Sequence, residues 1–145
     1  MLQALPFTAA PALSAGLQDI VRFAAHGDPA FKDRVVLDVA CGGGLVSCSF
    51  APHVRSVLGV DVTPSMVARA RGLAKEHGLS NADFEVVDAT ALPFPDGAFS
   101  LVSAGRMCGV STFPTPVCSL KKCRIQTNNW FVVGLFWFVC LLVRL

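Results

Sequence analysis

The chain has 145 residues, a net charge of +2 and a pI near 8.3, so it is about one domain long and its charge gives no reason to invoke nucleic acid. The average conceals a split: residues 1–96 carry 7 basic and 10 acidic groups, whereas residues 97–145 carry 5 basic groups and no acid. Six cysteines (41, 48, 108, 118, 123 and 140) form no CxxC pair and no His-Cys ligand spacing, which argues against zinc and any other metal and reads as reduced, intracellular thiols.

The chain has no basic residue before Arg22, so it lacks the charged start of a secretory signal, and a cytoplasmic location is the default. Leu17, Ile20, Val21 and Ala24 recur at helical spacing and predict a helix covering one edge of a sheet. "GDPAFKD" is a turn-rich link. "RVVLDVA" is a short β-branched run, as expected of a strand buried on both faces. Three glycines, Gly42 to Gly44, follow it directly. "LVSCSFAPH" predicts a short helix stopped by Pro52, and "VRSVLGVD" a second buried strand. Thr63 is placed to cap a helix that begins at Pro64 and is closed by Gly78, with Met66, Val67, Ala70, Leu73 and Ala74 on its apolar face. "ADFEVVD" and "AFSLVSA" supply a third and a fourth strand. Strands alternating with helices predict βαβ units, and so an α/β, doubly wound, mostly parallel sheet.

Three strand-terminal acids carry the functional reading. Asp38, Asp61 and Asp88 each stand at or near the carboxyl end of a predicted strand, where ligands bind in open α/β sheets. Asp61 lies 17 residues beyond Gly44, close to the spacing at which an acid accepts hydrogen bonds from ribose hydroxyls. Glycines after the first strand leave the backbone bare for a ligand's approach. Each feature alone is met by an ordinary cap or turn; the three in order predict a nucleoside-type ligand. A dinucleotide fingerprint fits less well. Its third glycine position holds Ser47, and Asp38 would repel a pyrophosphate but could accept from a cationic or amine-bearing ligand.

The segments "VLDVACGGG", "VLGVDVTPSMVARAR" and "VVDATALPFPDGAFSLV" resemble the class I S-adenosylmethionine-dependent methyltransferases, within them the small-molecule branch that includes the ubiquinone and menaquinone C-methyltransferases. The resemblance runs from about Ala24 to Ser103. It implies a Rossmann-like fold and S-adenosylmethionine as cofactor. By position, Asp38, Ala40, Cys41, Gly42 and Gly44 would form the first motif, around the methionine part of the cofactor. Asp61 would hold the ribose hydroxyls, with Val62 and Met66 against the adenine. Asp88 would accept from the adenine amino group, with Ala89 adding backbone contacts. There are departures: Ala40 replaces the first glycine, Gly43 stands where the family usually has Thr or Ser, and Ser100 where it usually has Asp.

Beyond Ala104 the quoted motifs end, which predicts a partial methyltransferase domain over 1–104, a sheet truncated after its fourth strand, and a divergent tail over 105–145. Trp130 to Val143 is 14 uncharged residues, short of the about 20 that a bilayer span needs, so a membrane anchor is disfavoured. The "KKCR" cluster before it could hold a membrane surface. The coincident loss of acids and motifs reads as an alternative exon, a read-through intron or a frameshift, although a strand or helix completing the sheet is the other reading. An open sheet edge invites self-association. His26, His53 and His77 read as structural, so no catalytic residue is named, and the expected partner is a small-molecule methyl acceptor. With its substrate side missing, the chain is expected to be a poor enzyme or none. The alternatives are a non-catalytic cofactor-binding half-domain or association module and, less well supported, an NAD-dependent oxidoreductase.

Overall fold

The computed structural model describes residues 15–104, 130–134 and 140–144. Helix α1 (Ala15–Ala25) leads through a short 3-10 turn to strand β1 (Val35–Val39), helix α2 (Leu45–Phe50), strand β2 (Ser56–Asp61) and helix α3 (Pro64–Glu76). Strands β3 (Ala82–Val86), β4 (Leu101–Ala104), β5 (Trp130–Gly134) and β6 (Cys140–Arg144) follow. The sheet order is β3-β2-β1-β4-β5-β6, with β6 antiparallel to β5 and every other pair parallel. The fold is α/β and Rossmann-like, as expected.

The sheet extends past the fourth strand. Two stretches of the aromatic and β-branched tail add to it, β5 pairing with β4 and β6 with β5. Among the described residues no helix is long and apolar enough to cross a membrane. The basic "KKCR" cluster and Cys108, Cys118 and Cys123 lie outside the described residues.

The central strand β1 is covered on both faces, as its largely apolar sequence requires. Val36 joins Val21, Ala24, Phe31, Phe50, Val57 and Leu101 in a cluster under α1 and α2. Leu37 and Val39 point the other way, into a cluster with Val60, Val102 and Ala104 that Leu92, Phe94 and Phe99 cover. The "LPFPDGAF" loop thus seals the second face where a helix could have lain, its Phe94 and Phe99 rings meeting edge to face at 5.1 Å. Ser100 explains itself here. The Val35 N–H donates to its Oγ at 2.9 Å and so ties the start of β4 to β1.

Helix α3 begins and ends where the sequence indicates. Pro64 is its first residue and Thr63 its N-cap, although the Thr63 side chain makes no capping hydrogen bond. At the other end Gly78 has φ +65°, its N–H donates to the Lys75 carbonyl, and the Leu79 N–H donates to that of Ala74. That is a Schellman closure, with Leu79 packed beside Leu73 and Ala74. Val67, Ala70 and Ala74 form the buried face; Met66, expected among them, is 41% exposed.

Candidate functional site

The carboxyl ends of β1, β2 and β3 are joined by backbone and carboxylate hydrogen bonds. The Cys41 N–H donates to the Val60 carbonyl at 3.0 Å, and the Val87 N–H donates to the Asp61 carbonyl at 3.1 Å. Asp61 is the hub. Its Oδ2 accepts from the Gly42 N–H and its Oδ1 from the Thr63 N–H, each at 2.9 Å. A carboxylate has about four acceptor positions, so Asp61 keeps capacity for the two hydroxyls of a diol.

The glycine loop divides by task. Gly42 (φ +54°) faces open space: a Cβ there would meet nothing within 4 Å. Gly44 (φ +81°) is a packing position, because a Cβ would lie 2.7 Å from Ala70 Cβ and 3.1 Å from the Phe84 ring. Gly43 lies beside the Arg69 side chain, whose Cδ would be 3.4 Å from an added Cβ. Ala40 has φ +55°, a left-handed conformation that costs a residue with a Cβ about 1–2 kcal/mol. Ala40→Gly should therefore raise the melting temperature by a few degrees, the relief of strain exceeding the added freedom of the unfolded chain by about 1 kcal/mol at most. A lower melting temperature in thermal unfolding would show that Ala40 is unstrained.

Asp38 lies beneath this loop, wholly buried. The Ser47 Oγ donates to its Oδ2 at 2.5 Å, which gives the residue at the third fingerprint position a specific task. Its other oxygen, Oδ1, has no hydrogen-bond partner. Burial pushes the Asp38 carboxyl up to about 6, against the opposing pull of Ser47 and, less strongly, Ser103. Burial also pushes the Cys41 thiol up to about 12 and that of Cys48 to about 11, so neither is a ready nucleophile.

Asp88 stands two residues past β3, exposed, with Oδ1 accepting from both the N–H and the hydroxyl of Thr90 at 2.8 Å. Those bonds hold its carboxyl below the ordinary range, leaving an ionised acceptor at the strand ends. Ala89 packs into the core cluster under the Phe94 loop. Apolar side chains border the same ends in solvent, Leu45 at 51%, Val62 at 66% and Met66 at 41% exposure. Among the described residues no group of three His, Cys, Asp or Glu could hold a metal. A cavity of about 750 Å³ lies elsewhere, around the β2–β3 edge, lined by Leu58, Ala82, Phe84, Glu85 and the stem of Arg71. The Arg71 guanidinium is already committed there, donating through Nε and Nη2 to the Phe84 carbonyl. The strand ends, not this cavity, collect the convergent polar groups.

The sequence pattern of a family described as "Methyltransferase domain" matches residues 36–124, more than half of the chain. The chain belongs to this methyltransferase family. The match continues to residue 124, beyond Ser103, where the quoted motifs end. The chain is similar to the uncharacterized methyltransferase YcgJ of Bacillus subtilis, 40% identical over 68 residues that cover 47% of this chain and 27% of that protein. It is 43% identical over 77 residues to ajmaline N-methyltransferase of Rauvolfia serpentina, covering 52% of this chain and 26% of the relative. The solved structure of YcgJ superposes with a TM-score of 0.71 at 27% identity, covering 81% of this chain and 48% of that one. Magnesium protoporphyrin IX methyltransferase of Synechocystis, solved with bound S-adenosylmethionine, shares the fold at TM-score 0.67 and 18% identity, covering 81% of this chain and 56% of its own. This methyltransferase chain thus spans about a quarter of the length of the curated relatives and about half that of the solved ones.

Sequence reasoning missed Gly59. A Cβ there would lie 2.6 Å from the Phe84 ring and 2.9 Å from Ser47 Oγ. A glycine inside an otherwise apolar strand was the available signal, since it marks a close approach. Asn81 also went unnoticed: its Nδ2 donates to the Ala51 and Val54 carbonyls at 2.8 and 3.2 Å, closing the turn before β2.

Proposed function

We propose that this methyltransferase chain binds S-adenosylmethionine across the carboxyl ends of β1, β2 and β3, for methyl transfer to a small-molecule acceptor in the cytoplasm. The observation that carries the reading is Asp61, held by Gly42 and Thr63 with acceptor capacity to spare, beside a Gly42 that opens onto empty space. The remaining residues fit the cofactor. Val62 and Met66 offer apolar surface to an adenine, Asp88 is an ionised acceptor for its amino group, and Ala40 to Gly44 present backbone to the methionine part. Ala89, largely turned into the core, would contribute through its backbone. When bound, the cofactor supplies an electrophilic methyl on a cationic sulfur; the chain's own part is to hold and orient it. The relative solved with bound S-adenosylmethionine supports this assignment by fold.

Asp61→Ala should weaken binding of S-adenosylhomocysteine by about 1–3 kcal/mol in isothermal titration, through lost charge-assisted hydrogen bonds. An unchanged dissociation constant would remove Asp61 from the site. Gly42→Val should weaken binding at least about tenfold while far-UV dichroism stays near wild type, because the added side chain enters the ligand's space rather than the core and is strained at φ +54°. Normal binding by that variant would reduce the loop to a turn. Titration with NAD separates the oxidoreductase reading, which predicts the opposite preference. The alternative reading is a cofactor-binding half without catalysis. Methyl transfer from labelled cofactor to quinone and phenol acceptors tests it.

A further inference from the structure

Asp38 is a wholly buried acid with one oxygen hydrogen-bonded and the other without a partner. Among the described residues no Lys, Arg or His forms an ion pair with it; the salt bridges there are Arg22 with Asp19 and Arg34 with Asp28. A buried carboxylate is tolerated when a positive charge compensates it. The groups that face Asp38 supply none. From its own loop comes Cys41, from α2 come Ser47 and Cys48, from β4 comes Ser103, and from β2 comes a second acid, Asp61. Both thiols hold their protons far above neutral pH, and Asp61 adds repulsion. The floor of the glycine loop is therefore a buried acid that no cation among the described residues compensates.

We propose that Asp38, while ionised, makes this site select a positively charged sulfonium ligand over its neutral thioether counterpart, and that protonating Asp38 removes the selection. The inference rests on the proposed S-adenosylmethionine site and deepens it. The two ligands share ribose, adenine, amine and carboxylate, so contacts to those groups cancel in the ratio of their affinities, and what remains is the charge on sulfur. By linkage, a cation that favours ionised Asp38 binds more tightly once the carboxyl has lost its proton, and binding the cation lowers the carboxyl's affinity for that proton. The transition falls near pH 6, where burial has placed this group. Asp38 acts through space from beneath the loop and is a positioning charge rather than a catalytic residue.

The test is isothermal titration of the full chain with S-adenosylmethionine and with S-adenosylhomocysteine at pH 5, 6 and 7. The expected result is a sulfonium-to-thioether affinity ratio that rises about fivefold from pH 5 to pH 7, as one pH unit of coupling at a group titrating near pH 6 gives. Asp38→Asn should give a ratio that is low and flat, while Asp61, still present, keeps whatever preference it supplies. Should Asp38→Asn fail to fold, Ser47→Ala provides the second arm. Without the Ser47 hydroxyl the ionised form loses its donor, so the midpoint of the ratio's pH profile should move upward. A ratio independent of pH in the wild type, a pH dependence that survives Asp38→Asn, or a midpoint that Ser47→Ala leaves in place would overturn the proposal. In those cases S-adenosylhomocysteine still binds and the site assignment stands. Binding of neither ligand at any pH would overturn the site assignment itself, and this inference with it.

Discussion

Asp38→Asn is expected to gain stability over the wild type as pH rises, the gap widening by about 3 kcal/mol between pH 3.8 and about 6 and then staying level. The folded protein holds this carboxyl's proton up to about pH 6, whereas the unfolded chain releases it near 3.8. A raised value of this kind favours the folded state only below the unfolded value, and the benefit is lost as pH climbs through the folded one. The asparagine carries no charge at any pH, and its oxygen can still accept from Ser47. Comparing two chains that differ at one residue cancels every other carboxylate, including Asp88, whose lowered value acts in the opposite sense. Urea denaturation at half-unit pH steps would measure the gap. A constant difference across the window would mean that Asp38 behaves as a solvated acid, contrary to its burial. The wild-type chain thus carries a cost at neutral pH that a neutral isostere would avoid, as expected where a charge serves a ligand rather than the fold.

The elements near the site were legible because each has a local physical signal. The apolar run of β1, the acid that ends β2, Pro64 at the start of α3 and Gly78 past its end are all short-range, and the structure places each where its signal puts it. What was hidden depends on partners distant in sequence. Met66 fits the helical period of the α3 core face, yet α3 meets the sheet through Val67, Ala70 and Ala74, and Met66 is left at the strand ends. Ser47 looked like a defective glycine until β1 brought Asp38 against it. The three glycines look alike in sequence but differ in surroundings, Gly44 pressed on α3 and Gly42 facing open space. The tail was hardest. No motif marks it, and a strand that adds to a sheet edge needs mainly backbone and β-prone side chains, which Trp130–Gly134 and Cys140–Arg144 supply.

Gly59→Ala should cost about 3 kcal/mol, at the upper end for overpacking, because the added methyl has nowhere to go. Its Cβ would stand 2.6 and 2.7 Å from two carbons of the Phe84 ring and 2.9 Å from Ser47 Oγ, well inside contact distance for all three. Neither neighbour can yield cheaply. Phe84 is the buried residue of β3, packed between Gly59 and Gly44 and against Ala70 and Val67, while Ser47 is fixed by its bond to Asp38. Moving the ring would press it on Gly44, and moving the serine would strip Asp38 of its one hydrogen bond. Substitution at an exposed glycine such as Gly72, where a Cβ meets nothing within 4 Å, should by contrast be neutral or stabilising. Urea midpoints for Gly59→Ala, Phe84→Leu and the double variant separate the clash from general strand effects: the smaller side chain should recover part of the loss, so that the double variant is more stable than the two single costs added together. Strict additivity, or a Gly59→Ala cost below about 1 kcal/mol, would show that β2 and β3 can separate to admit the methyl and that the close approach at Gly59 is not what holds the floor of the site.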